Sequence, residues 1–280
     1  MPGKQLLVII IETPNSNRSQ PLLRSLGCDS RFDVVRLPAC MLKTYSDVNA
    51  LNFEISLEAF NALHGRIMSP QEIGCATSHN IARQLISRSE VGGVILEDDA
   101  RILDLDSFFY LCTTFVNDKG DSRSVLSLTG FRQLVLQNSQ FRNNASKNIV
   151  ALFGKPDLAV AYALTPSAAK NLYEANTPIS TVSDWPITRC QFFALLSTVV
   201  SHGDAKTSSV ILVNNTEFRH GSNLSQKIKL LLFFPIYLRK KSPNLHFQDY
   251  FETIYLDRLF WAYDFYRIKT MIFLHGFFSK

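Results

Sequence analysis

The sequence predicts an α/β fold with a mostly parallel central sheet, and three observations carry that prediction. Two uninterrupted apolar runs, residues 6–11 and 91–96, have the Val/Ile/Leu character of strands covered on both faces. A third run, residues 32–37, follows the first after a short helical stretch at 21–26, which gives a βαβ opening. Two helix starts of the cap-plus-proline kind, Ser69-Pro70 and Thr165-Pro166, alternate with runs of this type.

Each element has a local reason. Residues 44–66 are mixed in pattern and read as short helices and loops. In Ser69-Pro70-Gln71-Glu72 the serine can cap, the proline suits the first helical position, and the glutamate three residues on completes a capping box. That helix is expected to run to about Ser89, with Ile73, Thr77, Ile81 and Leu85 along one stripe. It feeds the strand at 91–96. Residues 106–116 have helical character, 125–128 read as a short strand, and the polar stretch 138–147 reads as a loop able to close over a ligand. A further strand is expected at 158–164, then a helix from Thr165 to about Asn176, and a last sheet strand at 210–213.

Composition narrows the class. The chain has 280 residues, 46% hydrophobic and 19% charged, enough for one large domain, or for one domain with a smaller annex. Its five cysteines are odd in number and lack CxxC spacing, so neither a zinc ribbon nor a disulfide framework is suggested, and a reducing compartment is expected. The apolar start lacks a cleavage region and suits a first core strand, so no secretion is expected. No Gly-rich loop of the Walker or dinucleotide type is present, which argues against P-loop kinases and Rossmann dehydrogenases. The net charge of +5 is concentrated late, at Lys227, Lys229, Arg239, Lys240 and Lys241, around an apolar stretch interrupted by Pro235. That stretch falls short of the ~20 residues a membrane span needs. A basic and aromatic tail suits docking on an anionic membrane surface; equally, it suits the buried face of C-terminal helices with solvated lysines. No base-reading or RNA-stacking motif accompanies the charge, so nucleic acid is not an expected partner.

The segment richest in chemistry is Val94-Ile95-Leu96-Glu97-Asp98-Asp99, an apolar strand that ends in three carboxylates. Adjacent negative charges repel and are costly to desolvate, so a fold that holds them at the tip of a buried strand calls for a cation or a phosphate-bearing ligand. The ligand expected is a nucleotide diphosphate bridged by a divalent metal, Mn2+ or Mg2+. Alternation along the strand puts Glu97 and Asp99 on one side and Asp98 on the other. Asp99 is accordingly the expected metal ligand, with Glu97 or Asp98 on the ribose or donor sugar and Glu97 also within reach of the metal. For Asp98 the competing reading is a cap on the next element.

Three blocks in this order and spacing resemble glycosyltransferase family 25: Pro70-Gln71-Glu72-Ile73-Gly74-Cys75-Ala76-Thr77-Ser78-His79, Val94 to Ala100, and Ala161-Tyr162-Ala163-Leu164-Thr165-Pro166-Ser167-Ala168-Ala169. The likeness reaches from about residue 6 to about residue 224. It implies a GT-A-like fold, a nucleotide-sugar donor, most often UDP-galactose, and inverting transfer to a saccharide. Where relatives carry an Asn-Leu-Asp/Lys-Arg type segment after the first strand, this chain has Glu12-Thr13-Pro14-Asn15-Ser16-Asn17-Arg18.

The remaining site expectations follow from that resemblance and from the chemistry of inversion. A single displacement needs a general base on the acceptor hydroxyl, opposite the nucleotide. Asp184 is the candidate, beside Trp185 whose face could stack on a sugar; an Asx-type turn before Trp185-Pro186 is the competing reading. The family match places Ser78 and His79 near the donor, although a buried histidine satisfying a neighbour is the commoner role. His220 is expected as a late metal or phosphate contact, because GT-A folds bring a C-terminal residue back to the cation. Arg18 and Arg219 are alternative diphosphate partners.

The expected organisation is a GT-A-like catalytic domain over residues 1–224 and a helical, basic and aromatic extension over 225–280. The expected activity is transfer of a hexose, galactose before glucose, to a lipid-linked lipopolysaccharide or lipooligosaccharide core at the cytoplasmic face of the inner membrane, with the protein cytoplasmic or peripheral on that face. The alternatives are a metal-dependent nucleotide-sugar or phosphodiester hydrolase, and a non-catalytic saccharide- or lipid-binding relative.

Overall fold

The computed structural model describes residues 5–203, apart from positions 65, 121, 130–133, 137–148, 154, 157, 184 and 187. The expected loop at 138–147, the strand at 210–213, the boundary at 224/225 and the C-terminal extension lie outside the described residues.

The first five expected elements form: β1 (Leu6–Glu12), α1 (Gln20–Gly27), β2 (Phe32–Pro38), α2 (Tyr45–Asn49) and α3 (Leu57–His64). Then α4 (Pro70–Ser87) leads into β3 (Gly93–Glu97) and the short β4 (Ala100–Ile102). Beyond these lie α5 (Leu105–Lys119), β5 (Ser124–Ser127), β6 (Leu134–Leu136), β7 (Ile149–Phe153), β8 (Ala161–Leu164), α6 (Pro166–Ala175), β9 (Gln191–Leu195) and β10 (Val200–His202). Among the described residues the central sheet has eight strands in the order β2-β1-β3-β8-β5-β9-β7-β6, and β4 pairs with β10 apart from it. Following the parallel and antiparallel pairings across the sheet, all strands run one way except β8 and β7. The sheet is therefore mostly parallel, with helices on both faces.

Burial explains the layers. Along β1, Val8 and Ile10 face one side, where they pack with Leu22 and Leu26 of α1 and Phe108, Cys112 and Phe115 of α5. Ile9 and Ile11 face the other side, toward Ala82 and Ile86 of α4 and Ala168 and Leu172 of α6. Both faces of the strand are buried, which is why it reads as a continuous apolar run. A satellite core of Leu42, Val48, Phe60, Met68, Ile73 and Ala76 anchors α2 and α3 against the start of α4.

The start of α4 forms as its sequence dictates. The Ser69 hydroxyl accepts from the Glu72 N–H at 3.3 Å, and the Glu72 carboxylate accepts from the Ser69 N–H at 2.9 Å. Arg66 adds a two-pronged ion pair to Glu72, at 2.6 and 2.8 Å. Close packing follows: a Cβ on Gly74 would fall 2.1 Å from the Cys40 carbonyl oxygen, so only glycine lets the helix approach the chain after β2. The stripe of Ile73, Thr77, Ile81 and Leu85 on α4 is buried only in part. Ile73 and Thr77 are buried, but Leu85 is 37% exposed, and the buried surface instead includes Ser78, His79, Asn80 and Arg83. The helix lies between the sheet, α6 and the satellite core, so a single apolar face would not describe its surroundings.

Candidate functional site

Strand order changes direction at β1: β2 lies on one side and β3 on the other, so the carboxyl ends of β1 and β3 open the crevice where ligands gather in such sheets. Glu97 is the last residue of β3, and the chain then turns through Asp98 and Asp99 into β4. The turn overrides the alternation expected from the sequence, because residues beyond the strand end no longer obey its two-residue period. Asp98 and Asp99 face the same cation. Arg18 Nη2 lies 2.5 Å from Asp99 Oδ2 and 3.3 Å from Asp98 Oδ1. Thr13 N–H donates to Asp98 Oδ2 at 3.0 Å, so Asp98 is held by the loop after β1. Capping of the next helix falls instead to Asp104, which accepts from the Asp106 and Ser107 N–H groups. The loop after β1 thus supplies two residues, Thr13 and Arg18, that contact the acidic turn.

Asp98 and Asp99 are only 4% and 5% exposed. Burial, with the nearby charge of Glu97, raises the Asp99 pKa above the ordinary aspartate range, against the opposing pull of His202 and Arg18. Asp99 Oδ1 is buried and has no hydrogen-bond partner among the described residues. His202, on the last described strand, brings Nε2 to 3.5 Å from Asp99 Oδ2. It is held there because Gly203 N–H donates to the Asp99 carbonyl at 2.8 Å, and a Cβ on Gly203 would come within 2.7 Å of that oxygen. His202 was missed from sequence. The late residue named from the sequence, His220, lies outside the described residues, as does Arg219.

Glu97 has a different partner. His79, fully buried on α4, places Nε2 3.1 Å from Glu97 Oε1 and Nδ1 2.9 Å from the Tyr162 hydroxyl of β8. Burial lowers the His79 pKa and keeps the ring neutral despite the carboxylate. Burial alone would raise Glu97, yet its hydrogen bond with His79, helped by the Arg18 guanidinium, outweighs that and lowers its pKa. A neutral ring beside an ionised carboxylate fixes the tautomer: Nε2–H donates to Glu97, and bare Nδ1 accepts from Tyr162. Tyr162 stays protonated for that bond, its pKa pushed up to about 12 by burial.

The other expected site residues part company. Ser78 accepts from the Cys40 N–H and donates to the Gly74 carbonyl, both at 2.8 Å, so its hydroxyl is committed to fastening α4 to the chain after β2. Asp184 lies outside the described residues. Its neighbour Trp185 is 8% exposed, with its ring edge-to-face on Tyr162 and Phe192. The expected sugar-stacking role for Trp185 is therefore corrected: its faces are used in the core. Arg83, fully buried beneath that ring, donates to the Ser183 carbonyl at 2.6 Å and so ties α4 to the residue that precedes Asp184 in sequence. A single arginine inside a helix gives no sequence signal of such a role.

The donor set at the turn fits a divalent cation. Asp99 presents a buried oxygen without a partner, the neighbouring groups are carboxylates, and hard oxygen ligands of this kind suit Mg2+ or Mn2+. Across residues 29–187 the chain matches the family model described as glycosyltransferase family 25 (LPS biosynthesis protein). The chain belongs to glycosyltransferase family 25. No curated protein matches it. The matched stretch holds the capped helix α4, the acidic turn, α6 and the Asp184 segment, whereas Arg18 and His202 fall on either side of it. Membership makes this family 25 chain a glycosyltransferase of lipopolysaccharide biosynthesis, to which a nucleotide-sugar donor and an oligosaccharide acceptor belong.

Proposed function

We propose that the protein is an inverting hexosyltransferase of GT-A-like fold that moves galactose from UDP-galactose to a lipopolysaccharide or lipooligosaccharide core. The observation that carries this reading is the partnerless Asp99 Oδ1 in a buried carboxylate turn at the carboxyl ends of β1 and β3. A bound divalent ion, Mn2+ or Mg2+, would neutralise the charge that develops on the departing diphosphate. Asp99 would hold it, with a late histidine, His220, as a further ligand. Arg18, already aligned on Asp98 and Asp99, supplies a second positive charge at the mouth of the site for the diphosphate. Glu97, fixed by His79, and Asp98, fixed by Thr13, hold their orientations before donor arrives, which avoids reorganisation as the bond breaks.

Asp184 is the proposed general base. It takes the proton of the attacking acceptor hydroxyl while that oxygen bonds to the anomeric carbon from the face opposite the nucleotide. The nucleoside diphosphate leaves with the electron pair of the broken bond. Anchoring of Ser183 by Arg83 supports this assignment, because a base must be held within hydrogen-bond reach of its proton. The acceptor is lipid-linked, so we place the protein in the cytoplasm or peripherally on the cytoplasmic face of the inner membrane. No described helix is long and apolar enough to cross a membrane.

Donor consumption measured with and without acceptor glycan tests the reading. Consumption that rises with acceptor supports transfer. Consumption indifferent to acceptor indicates a hydrolase, and nucleotide binding without turnover indicates a binding protein.

A further inference from the structure

Cys75 and His79 stand one helical turn apart on α4, and Glu97 faces them from the end of β3. The thiol sulfur, an imidazole nitrogen and a carboxylate oxygen of these residues all lie within 4.8 Å of one another. We propose that Cys75, His79 and Glu97 form a zinc-binding site separate from the carboxylate turn. A tetrahedral zinc, with bonds of roughly 2.0–2.3 Å, spaces its donors about 3.3–3.8 Å apart, and Glu97 Oε1 already lies 3.1 Å from His79 Nε2.

Chemistry separates this cluster from its neighbour. Asp98 and Asp99 offer hard oxygens and share Arg18, whereas Glu97 hydrogen-bonds to His79 and looks toward a thiol. Thiolate with imidazole selects zinc over magnesium or manganese. The charges also close: one thiolate, one carboxylate and a neutral imidazole balance a dication, so a neutral assembly is buried. On binding, the thiol releases its proton to solvent. The imidazole proton moves from Nε2 to Nδ1, which frees the Nε2 lone pair for the metal. Nδ1–H then donates to the Tyr162 oxygen, at 2.9 Å, an outer partner of the kind that orients ligating histidines. The Glu97 side chain is 28% exposed, which leaves an edge for a fourth, solvent ligand.

The proposal does not rest on the transferase reading, since binding is measured without donor or acceptor. Metal-free full-length protein is titrated with Zn2+ in competition with a chromophoric chelator, and separately with Co2+ while the near-ultraviolet thiolate-to-cobalt band is recorded. One equivalent of zinc is expected. Cys75→Ala should weaken it at least tenfold, since even partners outside the coordination sphere are worth ~10–100-fold. The cobalt band should vanish in Cys75→Ala and persist in Asp99→Asn. Cys75→Ser gives the same readings with the side chain's size kept, should the alanine variant fold poorly. Equal zinc affinity in wild type and the Cys75 variants, or absence of the cobalt band from wild type, would overturn the site. Loss of zinc in Asp99→Asn as large as in the Cys75 variants would assign the ion to the carboxylate turn and overturn it equally.

Discussion

Arg18 Nη2 sits 2.5 Å from Asp99 Oδ2, while Oδ1 of the same carboxylate is buried with no hydrogen-bond partner among the described residues. Asp99 is thus half satisfied. A buried acceptor without a partner costs on the order of 1–3 kcal/mol, and folds keep such groups where a ligand completes them. The pairing of the loop after β1 with the turn after β3 places that open valence at the sheet's crevice.

Asp99→Asn should therefore separate stability from activity. Asparagine removes the charge that burial and Glu97 both disfavour, so the thermal midpoint is expected to hold or rise. Turnover should fall by about a hundredfold or more, because the cation site loses its charged ligand. Steady-state transfer assays beside thermal denaturation check both halves. Near-native turnover would remove Asp99 from the metal site.

Asp184→Asn should abolish transfer to acceptor and leave donor affinity nearly intact, since the proposed base acts on the side of the sugar away from the nucleotide. Calorimetry with UDP-galactose alongside the transfer assay reads this directly. Donor affinity lost together with activity would move Asp184 into the donor site.

The start of α4 carries a pH dependence whose sign is fixed. Burial would raise the Glu72 pKa, but Arg66 and the Ser69 N–H outweigh it and hold it below the ordinary glutamate value. A lowered folded pKa contributes stability that is fully present above the unfolded value and is lost as pH falls through the folded one. Glu72→Gln should cost about 1–2 kcal/mol at neutral pH, with the gap to wild type closing in acid. Ser69→Ala should cost about 1 kcal/mol. Urea denaturation at a series of pH values tests both, and a Glu72→Gln penalty that stays constant into acid would refute the assignment.

How legible each part was depends on the range of the interactions behind it. The Ser69-Pro70-Gln71-Glu72 cap and the Thr165-Pro166 start are local, and both helices begin where those residues place them. The 6–11 run is legible because both its faces are buried. The acidic turn was found, but the orientation of Asp98 was not, since a turn follows no period. Partners in the three-residue pair β4–β10 lie about a hundred residues apart, so no local pattern announces them, and His202 was missed with them. β9 was missed differently: Phe192-Phe193-Ala194-Leu195 is an apolar run that could have been read as a strand. Arg83 and Ser78 are polar side chains buried by tertiary packing, which helical periodicity misreads.

The basic C-terminal stretch, outside the described residues, gives the last expectation. If the lipid-linked acceptor is met at an anionic leaflet, each nearby lysine adds roughly 1 kcal/mol of attraction. Replacing Lys227, Lys229, Lys240 and Lys241 together with glutamine should release the protein from phosphatidylglycerol vesicles in a sedimentation assay. Transfer to a short soluble acceptor should continue, because none of these lysines is assigned to the chemistry. Raised salt should mimic the substitution in wild type, since screening at 1 M shortens the reach of a charge to about 3 Å. Vesicle binding that ignores both the substitutions and the salt would show that the lysines do not dock the protein and that the membrane role should be abandoned.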